Sequence, residues 1–258
     1  YEIYMGDWSS DVCSSDRLEE VPQTYVAGLK LTPDVDRALL EIGVTLAGPD
    51  AGFSFEAIAR AGKRVVGRAN GTGTIRMTID NPHLWSPDDP FLYDLEVRLI
   101  ERRAVVDRVT SYFGLRKIAV RKDERGIDRI FLNDKYTYNF GTLDQGFWPD
   151  GLYTAPTDAA LKFDIQAAKA MGFNTIRKHF KLEPARWYYQ CDRLGMLVWQ
   201  DMVQPGGSDG GMPSGTSVED RRQFEIEMKA TLAQLHNHPS IIVWTYMEIG
   251  RASCRERV

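Results

Sequence analysis

Tyr138-Asn-Phe-Gly141, Asn174-Thr-Ile-Arg-Lys-His-Phe180, Met196-Leu-Val-Trp-Gln-Asp201 and Ile241-Ile-Val-Trp-Thr-Tyr-Met247 are four short, mostly apolar runs with helical patterns between them. Strands that alternate with helices build βαβ units and a parallel sheet. The region 138–247 is therefore expected to form four parallel strands with three intervening helices, as in half of a (β/α)8 barrel. In such a barrel the working residues lie where strands run into the following loops. Those junctions are where this sequence turns polar: Thr142-Leu-Asp-Gln-Gly146, Arg177-Lys-His179, Trp199-Gln-Asp201 and Trp244-Thr-Tyr-Met-Glu248.

The helices have readable ends. One starts near Thr157, after Pro156, and stops at Gly172, with Leu161, Ile165 and Ala168 on one face. A second opens at Glu183-Pro184 and ends at Gly195, with Trp187-Tyr-Tyr189 as core. A third begins at Thr216-Ser-Val-Glu219, which has capping-box spacing, and carries Phe224, Met228, Leu232 and Leu235 as its apolar stripe. Period-two alternation puts Thr175, Arg177 and His179 on one face of their strand and Asn174, Ile176 and Lys178 on the other. Arg177 and His179 are then expected to point into the barrel mouth, and Lys178 outward. The Gly-rich stretch 206–215 matches neither a Walker A nor a dinucleotide fingerprint and reads as a mobile loop.

The blocks Gly141-Thr-Leu-Asp-Gln-Gly-Phe-Trp-Pro-Asp150, Met171-Gly-Phe-Asn-Thr-Ile-Arg-Lys-His179, Cys191-Asp-Arg-Leu-Gly-Met-Leu-Val-Trp-Gln-Asp201 and His238-Pro-Ser-Ile-Ile-Val-Trp244 resemble the catalytic barrel of glycoside hydrolase family 2. That family holds β-galactosidases, β-glucuronidases and β-mannosidases. The resemblance spans roughly residues 18–247 and implies a retaining glycosidase. Under it, Asp144, Gln145, Trp148, Arg177, His179, Asp201 and Trp244 are the candidate sugar-binding residues. The alternatives stay open: loop self-packing for Asp144, Gln145 and Trp148, and a structural role for His179. In the family, Asn-Glu follows the fourth-strand Trp by four and five residues, and that Glu is the acid/base. Here Glu248 holds the Asn slot and Ile249 the Glu slot, so the pattern is broken. The nucleophilic Glu of the seventh strand would lie past residue 258. No catalytic residue is assigned, and the chain itself is expected to be inactive.

Upstream, residues 18–119 read as an immunoglobulin-like β-sandwich, with runs at Leu29–Leu31, Leu39–Leu46, Phe53–Ala59, Thr72–Ile79, Phe91–Leu99 and Val105–Gly114. Asn81-Pro-His-Leu-Trp-Ser-Pro87 and Phe113-Gly-Leu-Arg116 resemble the corresponding domain of the same family. Leu18-Glu-Glu would then be the exit from a jelly-roll domain that precedes it. Trp85 reads as a corner residue that packs between domains sooner than as a sugar platform. Residues 120–137 join the two domains, with Asn133-Asp134 as a hairpin turn.

Both ends, 1–16 and 251–258, lack strand or helix period and resemble translated adapter sequence. They are expected to pack on nothing, and nothing about a targeting signal follows from them. Of three cysteines only Cys191 falls in the fold, where it reads as a buried, inert thiol. A net charge of −4 gives no reason to expect a nucleic-acid partner or an anionic membrane surface. No apolar run approaches the roughly 20 residues of a membrane span. No cofactor and no metal are expected: His236-Asn-His238 has the look of a metal pair, but it precedes the fourth strand, at the end of a barrel that carries stability. The expected partner is a carbohydrate. A non-catalytic carbohydrate-binding module on the same scaffold is the other reading, and an unrelated metal hydrolase or aldolase barrel lacks its ligand cluster or a suitably placed lysine.

Overall fold

The computed structural model describes residues 20–49, 52–203 and 217–246. The terminal segments, the Gly-rich stretch 206–215, Glu248 and Ile249 lie outside the described residues. The chain divides into two compact units: residues 1–138 with 192–195 and 236–239, and residues 139–191 with 196–235 and 240–258.

The first unit is a β-sandwich. Its strands are β1 (Tyr25–Asp34), β2 (Leu39–Ala47), β3 (Phe53–Ala61), β4 (Arg64–Gly71), β5 (Ile75–Thr78), β6 (Tyr93–Glu101) and β7 (Ala104–Phe113). They form two antiparallel sheets, β1-β2-β5 and β4-β3-β6-β7. Inward positions alternate along each strand, and one core joins the sheets: Leu31, Leu40, Ile42 and Met77 from one, Ala57, Leu95, Val97 and Leu99 from the other. Strand β4 has no counterpart among the expected runs. Its Arg-Val-Val-Gly-Arg sequence buries Val66 but leaves Val65 40% exposed, a pattern too weak to read from residues alone. Strands β8 (Ile118–Lys122), β9 (Asp128–Leu132) and β10 (Lys135–Tyr136) make a further antiparallel sheet in the order β10-β9-β8. The β9–β10 turn is Asn133-Asp134, with both residues at positive φ (50° and 64°), as a two-residue hairpin of the right hand requires.

Residues 192–195 and 236–239 complete this unit through polar contacts. The Asp192 carboxylate accepts from the Tyr112 hydroxyl at 2.7 Å and lies 2.6 Å from His238 Nδ1. Trp85, fully buried, donates its indole N–H to the Asp192 carbonyl at 2.8 Å. Arg116 donates to the Pro239 carbonyl, and Asn237 both accepts from Leu31 N and donates to Leu29 O. Trp85 is thus a packed residue, and His238 is engaged with Asp192 and Tyr112. Among the described residues no group of three or more His, Cys, Asp or Glu is placed to hold a metal.

His236 sits in the same unit, and burial, helped by Lys30 and Arg116, pulls its pKa below the ordinary histidine value. A base whose folded pKa is lowered takes up its proton more readily when unfolded. Stability should therefore fall as pH drops through about 6.5, the unfolded value. The expected result is a lower urea midpoint at pH 5.5 than at pH 7, with a smaller difference in His236→Gln. Equal pH dependence in both proteins would show that His236 does not carry it.

The second unit is α/β. Strands β11 (Gly141–Asp144), β12 (Thr175–Lys178), β13 (Leu197–Asp201) and β14 (Ile241–Thr245) lie in sequence order in one all-parallel sheet. Helices α1 (Asp158–Ala170), α2 (Ala185–Leu194) and α3 (Val218–Leu235) fall between them. Thr157 caps α1, its hydroxyl accepting from Ala160 N at 3.1 Å. Helix α3 has its capping box one residue later than expected. Ser217 Oγ accepts from Asp220 N at 3.0 Å, and Asp220 Oδ2 accepts from Ser217 N at 2.9 Å. Cys191 is fully buried on α2. Among the described residues no helix is long and apolar enough to cross a membrane.

The first parallel strand was expected at 138–141 and is found at 141–144. Pairing starts at Gly141 because its backbone comes so close to Thr175 that a Cβ there would lie 2.4 Å from the Thr175 carbonyl oxygen. Just before it, the Asn174 side chain accepts from Phe140 N at 2.9 Å and takes the place of a ladder bond.

Candidate functional site

Neighbours across a parallel ladder share a face of the sheet. Leu143, Arg177, Trp199 and Val243 are lateral partners, and Asp144, Lys178, Gln200 and Trp244 form the next row on the opposite face. Asp201, two residues beyond Trp199, returns to the face of Arg177.

There the Arg177 guanidinium grips the Asp201 carboxylate. Nε donates to both carboxylate oxygens at 3.1 Å, and Nη2 donates to Oδ2 at 2.8 Å. The Asp201 side chain is 0% exposed and that of Arg177 28%, so a buried charge is neutralised by a cation that still reaches solvent. Trp199 beneath them is fixed by its indole N–H, which donates to Asn139 Oδ1 at 2.8 Å.

His179 follows the end of β12. Its backbone N–H donates to the Asp144 carbonyl at 2.9 Å, and its Nδ1 lies 3.2 Å from Gln145 Nε2. The loop after β11 therefore meets the end of β12 through two of the expected site residues. Trp148 is half-buried in this loop, and its indole N–H meets no acceptor among the described residues. A buried donor left unpaired costs roughly 1–3 kcal/mol, which a hydroxyl-rich ligand would recover.

Two of the expected residues stand elsewhere. Asp144 is on the opposite face, where its Oδ2 accepts from Lys178 and its Oδ1 accepts from Gly146 N at 2.7 Å. Trp244 pairs with Gln200 on that same face and does not join Arg177 and Asp201. The sheet thus gathers Arg177 with Asp201, and Gln145 with His179, and separates Asp144 and Trp244 from them. Lys178, expected outward, does leave the Arg177 face, yet it ends fully buried rather than in solvent.

Three residues were given no site role in the sequence: Lys181 and Glu183, both buried, and Gln200. Gln200 accepts from Tyr188 OH at 2.6 Å and donates to the carbonyls of Lys181 and Asp201. The only signal for the first two was local: two lysines and a glutamate within 178–183, between a strand and a helix.

Residues 24–116 match the family Glycosyl hydrolases family 2. Over 83% of its length the chain is 26% identical to a putative beta-glucuronidase of Formosa agariphila, and over 92% it is 27% identical to a beta-galactosidase of Lactococcus lactis. It spans 21% and 23% of those proteins, so about a quarter or less of each. Among solved structures it is similar to a beta-glucuronidase from Ruminococcus gnavus (TM-score 0.74, 19% identity, 86% of this chain and 37% of that one). It is also similar to a beta-glycosidase from Bacteroides vulgatus (TM-score 0.73, 19% identity, 91% of this chain and 31% of that one). At such identities the structural likeness speaks for the fold alone: a β-sandwich followed by a partial α/β region. The chain is thus similar to the family 2 glycosyl hydrolases over residues 24–116, and to proteins named as beta-glucuronidase and beta-galactosidase over most of its length.

Proposed function

We propose that this chain is the immunoglobulin-like sandwich and first half-barrel of a retaining glycoside hydrolase that cleaves β-linked glycosides. The reading rests first on Arg177 and Asp201, a bidentate pair at the ends of adjacent parallel strands, with Gln145 and His179 beside them at the next junction. Strand ends are where barrel enzymes keep their chemistry. Arg, Gln, His and Trp side chains are the donors and flat apolar faces that a pyranose needs.

A retaining glycosidase uses two carboxyl groups about 5–5.5 Å apart, one as nucleophile and one as acid and base. Neither Asp201 nor Asp144 is suited to that work. Asp201 is held by Arg177 and Asp144 by Lys178, so each is already engaged. Their role is to orient. The Asp201 grip presents the guanidinium to a sugar hydroxyl, and the Gln145–His179 contact sets a second donor pair. The site's share in catalysis is then binding that strengthens as the oxocarbenium-like transition state forms.

Calorimetric titration of this chain with methyl β-D-galactopyranoside and methyl β-D-glucopyranosiduronate tests the reading. Binding with a Kd on the order of 1 mM, or about −4 kcal/mol, is expected for at least one. It should weaken in Gln145→Ala, while nitrophenyl glycosides are not hydrolysed. No saturable heat with either glycoside would sink the reading. Hydrolysis abolished by Glu248→Gln would make Glu248 a working acid and overturn the assignment of orienting roles alone.

A further inference from the structure

Between β12 and α2 lies a knot of charge that sugar binding does not itself require. Lys178 Nζ donates to Glu183 Oε1 at 2.7 Å as well as to Asp144 Oδ2. Lys181 Nζ stands 3.2 Å from the same Glu183 oxygen and donates to the backbone carbonyls of Gly146 at 2.8 Å and Tyr153 at 2.7 Å. The side chains of Lys178, Glu183 and Lys181 are 1%, 2% and 4% exposed. Each ammonium also lies 4.4 Å from an aromatic centroid, Lys178 over Trp187 and Lys181 over Tyr153.

Burying three charges is costly, and an apolar cluster of the same volume would often serve stability as well or better. What these charges do that leucines could not is grip a particular stretch of backbone. Asp144 is the last residue of β11, and Gly146 and Tyr153 lie near the start and the end of the loop that follows it, the loop that carries Gln145 and Trp148. The loop lies directly on the knot. Gly146 is at φ +68°, and a Cβ there would be 2.5 Å from Glu183 Oε1 and 2.7 Å from Lys181 Cδ. Only glycine fits both the backbone angle and the gap.

We propose that Lys181 and Glu183, with Lys178, are positioning residues: a seat that sets the shape of loop 144–153 so that Gln145 reaches His179 and Trp148 stands at the strand ends. What the loop recognises rests on the carbohydrate reading above; the seat itself does not. No bond is made or broken. The Lys181 donors replace the water that the two loop carbonyls would otherwise bind, and the shared glutamate pairs with both ammonium groups.

The test uses this chain with Gly146→Ala and, separately, Lys181→Met. Three quantities are followed: amide exchange of residues 144–154, the His179 ring resonance (assigned by its loss in His179→Gln), and affinity for methyl β-D-galactopyranoside and methyl β-D-glucopyranosiduronate. In both variants loop exchange should rise at least about tenfold, as for a segment freed from its anchors, while β13 and β14 stay protected. The His179 signal should move, and affinity should fall about tenfold or more, equal to the loss of one good hydrogen bond. A knot that served only stability would leave the His179 signal in place. Wild-type loop exchange and an unmoved His179 signal in both variants would overturn the seat. Loosened loops in the variants, with no glycoside bound by the wild type, would uphold the seat and sink the carbohydrate reading. Should Lys181→Met cost protection throughout the unit, Gly146→Ala decides, because it leaves every charge in place.

Discussion

Replacing Arg177 by alanine is expected to destabilise the α/β unit by about 3–5 kcal/mol, the usual result of removing one partner from a buried pair. Asp201 is wholly buried, and Arg177 meets both of its oxygens; without the guanidinium its charge would lose the counterpart it has among the described residues. At roughly 2–4 °C per kcal/mol for domains of 150–250 residues, the melting transition should fall by about 6–20 °C. Arg177→Lys should recover only part of this, since an ammonium cannot match the two-oxygen geometry. Arg177→Ala with Asp201→Asn should be more stable than Arg177→Ala alone, because the stranded charge is gone. Calorimetry on the three variants is the check. A melting point within about 2 °C of wild type for Arg177→Ala, under 1 kcal/mol, would mean that solvent already compensates Asp201. The pair would then be the business of the site alone.

Lys178→Met should have an effect of similar size, again about 3–5 kcal/mol, for a different reason. Methionine keeps the stem packed near Trp187, so little volume is lost and the change isolates the charge. Two carboxylates then lose a cation together. Glu183 keeps Lys181, but among the described residues Asp144 keeps the Gly146 amide, with the solvent it still reaches. Adding Asp144→Asn should restore part of the loss, and the coupling between the two changes should be well above the ~0.5 kcal/mol scatter of independent sites. Additive effects, measured by urea unfolding, would show that the two side chains do not depend on one another.

Much of the second unit was legible because its apolar runs are short and its helices are bounded by residues with one clear use. Thr157 caps α1 and Gly195 follows α2, as their chemistry requires. The turn at Asn133-Asp134 was equally plain. Alternation assigned the faces of Arg177 and Lys178 correctly but said nothing about depth. A lysine on the helix-facing side of a strand can end in solvent or, as here, under a tryptophan, and only the packed helix decides. The start of β11 was misplaced by three residues because Tyr138 and Phe140 look like strand, whereas the pairing follows the close approach at Gly141. The grouping of Tyr112, Asp192 and His238 could not be foreseen. These residues are 46 to 126 positions apart, and no local pattern links them.

The sandwich also has an awkward birth order. Its seven strands have all been made by residue 113, yet the pieces that complete the unit, 192–195 and 236–239, come off the ribosome up to 126 residues later (239 less 113). At roughly 5–20 residues per second that is a wait of about 6–25 s, far longer than a small domain needs to fold. During that interval Trp85, Leu29, Leu31 and Arg116 must go without Asp192, Asn237 and Pro239, and Tyr112 without His238. The nascent sandwich therefore carries an unfinished surface through that interval, and a translational pause shortly before residue 239 would lengthen its exposure more than a pause anywhere after it.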